Sequence, residues 1–103
     1  MRHIEKELTS VKNYLRIDPD LDAEDEILTE LIRAAHSYIA RSTGKKFVPD
    51  DELMSILTKL LVSHWYTNRN PANGRSNAQE YSHSITALLQ HVEISDAYES
   101  DNL

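Results

Sequence analysis

Five histidines and 17 carboxylates are the side chains through which this 103-residue sequence could do chemistry. His3, His36, His64, His83 and His91 include no HExxH motif and no pair at i, i+3 or i, i+4 on one helix face, the spacing that lets two imidazoles share a metal. His83 and His91 stand about two helical turns apart, too far for one ion to bridge. Each histidine is therefore expected to be a surface or half-buried polar residue, with His64, on an apolar stripe, satisfied by a nearby partner. A general acid needs a carboxylate that is desolvated or coupled to another. Asp18, Asp20, Asp22, Glu24, Asp25 and Glu26 instead crowd a turn and a first helical turn, where water and helix capping account for them. The Asp18-x-Asp20-x-Asp22 spacing opens like a calcium loop. Ala23 and Thr29, however, hold the positions that need a glycine and a bidentate glutamate. There is no cysteine nucleophile and no GxSxG. The two glycines, Gly44 and Gly74, lie too far apart for a phosphate loop. No catalytic, cofactor or metal-ligand residue is assigned, and the chain is read as a binding or structural protein rather than an enzyme.

The net charge of −6 and pI near 5.2 speak against a general grip on nucleic acid, which needs cations to displace counterions from phosphate. Arg41, Lys45 and Lys46 form the one basic cluster near a helix end. They support the alternative of a helical DNA-packaging accessory or regulator touching nucleic acid, but cations there more often complement the helix dipole. The absence of cysteine fits a reducing site of synthesis. The first ten residues lack the apolar core of a signal peptide. The apolar-rich stretch 53–65 is interrupted by Ser55, Thr58, Lys59, Ser63 and His64, short of the roughly 20 apolar residues that cross a bilayer. The chain is expected to be soluble, with no membrane partner.

The elements that carry these residues read as helices. Only 2 Gly and 3 Pro occur, and no stretch alternates with the period of a strand. A first helix is expected to start at Thr9 or Ser10, to place Val11, Tyr14 and Leu15 on one face, and to stop before Pro19. A second follows from Asp22 as N-cap to Ser42. Its apolar stripe is Ile27, Leu28, Leu31, Ile32, Ala35, Tyr38 and Ile39, and Gly44 takes the left-handed position beyond its end. A third starts at Asp50 or Asp51, buries Leu53, Ile56, Leu57, Leu60, Leu61 and His64, with Met54 and Trp65 widening the stripe, and ends near Asn70 before Pro71. Residues 70–82 read as a long polar loop, a type that is usually functional or ordered by a partner. A last helix from Ser82 or Ser84 to Val92 buries Ile85, Leu88, Leu89 and Val92. The expected fold is an all-α small helical bundle: two long antiparallel amphipathic helices with short helices at each end. Residues 1–94 form one domain and 95–103 a flexible acidic C-terminal tail.

Three segments in order resemble a known family. VKNYLRID at 11–18 resembles the opening of small tailed-phage head-tail connectors, the head-completion adaptors also described as phage DNA-packaging proteins. DEILTELIRAAHSYIARSTG at 25–44 is similar to that family's LIxAAxxYIxxxTG helix. LLVSHWYTNR at 60–69 looks like its LLVAHxYxNR helix. The sequence departs after Asn70: the family's proline before the last helix is replaced by Tyr81-Ser-His-Ser, and its late arginine by His91. The resemblance implies a virion protein made in the bacterial host cytoplasm and placed at the head-tail junction. There a cyclic homo-oligomer below the portal protein would extend the DNA channel, let DNA pass without sequence-specific binding, and bridge to the next head-completion or tail protein. Candidate contact residues for copies or partners are Arg33, Arg41, Lys45, Lys46, Arg69, Asn70, Asn73, Arg75, Tyr81, Glu93, Asp96 and Tyr98.

Overall fold

The computed structural model describes residues 2–68 and 82–100. It is all-helical: α1 is Arg2–Tyr14, α2 Asp25–Thr43, α3 Glu52–Thr67 and α4 His83–Ile94. The one β-pairing among the described residues is an isolated antiparallel bridge between Lys45 and Ser100.

Helix α1 starts well before the expected Thr9 or Ser10. Its early residues are good helix formers, and the Thr9 hydroxyl, expected to cap, turns back to the Glu5 carbonyl at 3.2 Å inside the helix. The helix ends in a Schellman motif. The Ile17 amide reaches the Lys12 carbonyl (2.8 Å), the Arg16 amide reaches the Asn13 carbonyl (3.1 Å), and Arg16 sits at φ 63°. An arginine occupies a conformation that glycine adopts without strain.

Asp22 is not the N-cap of α2. Its carbonyl accepts the Asp25 amide at 3.2 Å in the preceding turn, and the helix begins three residues later. Glu24 precedes the first turn, and its carboxylate accepts the Tyr66 hydroxyl instead of capping. At the other end Gly44 closes the helix at φ 72°, its amide bonded to the Ala40 carbonyl at 2.9 Å, as its position in the sequence requires. Asp51 caps α3 by accepting the Met54 amide at 3.0 Å, and Ser82 caps α4 by accepting the Ile85 amide at 3.3 Å.

The core draws on all four helices: Val11 from α1, Leu28, Ile32, Ala35 and Ile39 from α2, Met54, Leu57, Leu61 and Val62 from α3, and Ile85 and Val92 from α4. Burying each of the larger side chains contributes about 1.5–3 kcal/mol. The expected stripes were too wide at two places, because Tyr14 is 49% exposed and Ile56 is 46% exposed. Both fall at the edge of their helix's apolar arc. Nor are the outer helices short: α1 has 13 residues and α4 has 12, against 19 and 16 for α2 and α3.

The described part of the expected tail, residues 95–100, makes contacts with the helices and their connections. Tyr98 packs against the core, and its hydroxyl donates to Asp51 Oδ2 at 2.7 Å. Lys45 Nζ donates to the Ser95 carbonyl at 3.0 Å and to the Tyr98 carbonyl at 3.5 Å, and the Lys46 amide reaches the Glu99 carbonyl at 2.8 Å. A half-buried tyrosine and satisfied backbone hold a strap that composition alone marked as solvated. Residues 101–103 and 69–81 lie outside the described residues, so the expected polar loop 70–82 does too, apart from Ser82 at the start of α4.

Candidate functional site

The acidic turn between α1 and α2 is built around a lysine. Lys12, only 3% exposed, lies one turn beyond Leu8 and beside Val11, on the buried side of α1. Its ammonium donates to the carbonyls of Pro19 (3.2 Å) and Leu21 and to Asp25 Oδ1 (2.7 Å). All three donors of the group are used, so the buried charge is both hydrogen-bonded and paired. Asp18 Oδ1 accepts the Asp20 amide at 2.9 Å, and the Leu21 amide bonds the Asp18 carbonyl at 3.0 Å. The turn is thereby fixed, with Asp18, Asp20 and Asp22 in solvent and Leu21 60% exposed. In the wider acidic segment Asp25 is tied to the lysine and Glu24 to Tyr66.

A second cluster joins α1, α2 and the α2–α3 connection. His36 stacks on Phe47 with ring centroids 4.0 Å apart, and its Nε2 faces both Glu7 carboxylate oxygens at 2.8 and 2.9 Å. This is a clasp between elements. Among the described residues no group of three or more His, Asp or Glu side chains converges as a metal site. None of the described helices is long and apolar enough to cross a membrane.

The matched family decides what such a molecule is. A family model described as phage gp6-like head-tail connector protein matches residues 5–98. The chain belongs to that family. It is a structural connector of the phage head-tail junction, and the family is not an enzyme family. Neither the curated proteins nor the solved structures include a match.

The residues singled out in the connector sequence divide into three groups. Arg33 and Arg41 project into solvent from α2 and form no ion pair with a described residue; Glu93 and Asp96 are exposed at and just past the end of α4. Lys45 and Tyr98 are turned inward as fasteners of the strap. Lys46 is exposed, with Glu99 at 3.5 Å. The basic cluster Arg41, Lys45 and Lys46 is thus not a free patch. Arg69, Asn70, Asn73, Arg75 and Tyr81 lie outside the described residues. Sequence reasoning missed Lys12, Glu7 and the Glu24–Tyr66 pair. A lysine in step with Leu8 and Leu15 on an apolar face was the available signal for the first. The other two depend on residues distant in sequence.

Proposed function

We propose that this connector works as a cyclic homo-oligomer below the portal protein, extending the channel through which DNA passes and offering its far side to the next head-completion or tail protein. The family match over 5–98 carries this reading. The two longest helices, α2 and α3, pack against each other and form the body of each subunit. Contacts in a closed ring are heterologous, so each subunit needs two different and complementary faces. Arg33, Arg41, Glu93, Asp96 and the polar loop with Arg69, Asn70, Asn73, Arg75 and Tyr81 meet copies or partners. The net charge of −6 suits a conduit that must not hold phosphate. The protein is made in the host cytoplasm and ends in the virion.

Mixing the purified protein with its portal and imaging by negative-stain microscopy tests the reading. A ring stacked on the portal is expected, as is no retention of duplex DNA at physiological salt. Submicromolar binding to linear duplex would instead favour a DNA-contacting accessory.

A further inference from the structure

Helices α1 and α3 flank an open groove of about 350 Å³ next to the Pro49–Asp50 corner. Ile56, 46% exposed, is its large aliphatic residue. Lys6 and Lys59 line it, and neither forms an ion pair with a described residue. Its carboxylates are otherwise occupied or placed: Glu7 faces His36, Asp50 is engaged within the chain, and Glu52 sits in the first turn of α3, where the helix dipole favours it. The groove therefore offers one aliphatic contact and two ammonium groups that pair with no described residue, with Glu52 the one carboxylate of the lining left without a described partner.

The acidic turn presents the complement. Leu21 is 60% exposed between the solvent-facing Asp20 and Asp22, on a turn that Lys12 and Asp18 already hold in shape. A preorganised knob docks without the cost of ordering a loop. Leaving a large aliphatic side chain at the crest of a rigid turn stabilises nothing within the chain.

Resting on the ring reading above, we propose that Leu21 of one copy inserts into the α1–α3 groove of the next, with Asp20 and Asp22 facing Lys6 and Lys59. Knob and groove are different patches, so the contact is heterologous and repeats in one direction around the ring.

The natural chain has no cysteine, so engineered thiols report these positions alone. The full-length Leu21→Cys and Ile56→Cys variants are mixed under mild oxidation, with Gln90→Cys on the exposed side of α4 as the background control. A mixed disulfide dimer well above that control is expected, and a ladder from the chain carrying both changes. In sedimentation, Leu21→Asp should weaken self-association about tenfold or more, and Lys59→Glu should weaken it less. Adding Asp22→Lys to the Lys59→Glu chain should restore part of the loss. All these positions are exposed or half-buried, and circular dichroism confirms that the variants fold. If the natural chain assembles while no mixed dimer forms and Leu21→Asp assembles equally well, the contact is wrong and the ring reading stands. If Leu21→Cys pairs mainly with itself, the copies meet face to face and the head-to-tail contact is overturned. If the natural chain never self-associates, alone or on the portal, the ring reading falls and this contact with it.

Discussion

Replacing Lys12 by methionine should be among the most damaging single changes to a polar residue. Methionine keeps most of the stem's packing but removes the ammonium that bonds the Pro19 and Leu21 carbonyls and Asp25. Two carbonyls lose bonds to a charged donor, each worth about 1.5 kcal/mol. Asp25 also loses its partner, but its side chain is 35% exposed and rehydrates, adding less than about 1 kcal/mol. Against these losses stands the cost of keeping an ammonium 3% exposed, which methionine avoids. The balance is about 2–3 kcal/mol of lost stability. For a domain of this size that lowers Tm by about 10–20 °C. Asp25→Asn, which spares both carbonyl bonds, should cost about 1 kcal/mol. Urea and thermal unfolding give both numbers. Amide hydrogen exchange at Leu21 and Asp25, whose N–H groups bond Asp18 and Asp22 within the turn, reports the site directly. If Lys12→Met stays within about 0.5 kcal/mol of the natural chain and those amides keep their protection, the ammonium does not organise the turn. The preorganised Leu21 knob then loses its foundation.

Arg16→Gly should raise stability by about 0.5–1 kcal/mol, because φ 63° strains any residue with a Cβ; an unchanged or lower Tm would mean the Arg16 side chain contributes more than the strain costs. The Tyr98 hydroxyl is pushed up to about 12, first by burial, then by its hydrogen bond to Asp51 and that carboxylate's charge. With the folded value above the ordinary 10.0, its stabilisation is complete below pH 10 and is lost as pH rises toward 12. Subtracting the Tyr98→Phe profile from the natural one should isolate this loss, and superimposable differences across that window would count against the Asp51 bond. Removing residues 95–103 should leave the helical circular dichroism largely intact but cost about 2 kcal/mol or more through loss of the Tyr98 packing and hydrogen bond. A stability unchanged by the truncation would contradict the docked strap.

Helix identity was legible because it rests on local physics. The i, i+3, i+4 stripes of α2 and α3 located Leu28, Ile32, Ala35, Ile39, Leu57 and Leu61 in the core, and Gly44, Asp51 and Ser82 took the terminal positions their chemistry favours. Starts were less legible where a good cap competes with something else. Asp22 is as suitable a cap as Asp51, yet the turn below it is held by a lysine ten positions upstream. Thr9 has a capping hydroxyl and spends it on a carbonyl inside the helix. The strap was illegible for the same reason. Its acidic composition predicts solvation, while one tyrosine reaching the cap of α3 and one lysine reaching two carbonyls decide otherwise. The candidate contact set suffered accordingly, since charge in the sequence does not say which way a side chain turns.

That inward turn bears on the electrostatics of the proposed conduit. The formal charge of −6 counts eleven cations as though all met solvent. Lys12 is 3% exposed and spends its charge on two carbonyls and one carboxylate, and Lys45 bonds the carbonyls of Ser95 and Tyr98. Both lysines stitch connections that have few backbone hydrogen bonds of their own, as a small domain with a modest core must arrange somehow. Neither is then available to displace counterions from DNA, an affinity that scales with the number of phosphates contacted. Asp18, Asp20, Asp22, Glu26 and Glu30 remain in solvent. Because Asp25 is withdrawn together with Lys12, the surface keeps an acidic balance close to the one the composition states. The same internal lysines leave the turn carboxylates Asp20 and Asp22 in solvent, where the proposed contact needs them. The hold of the turn and of the strap, and with them the proposed contact between copies, trace back to where two ammonium groups point.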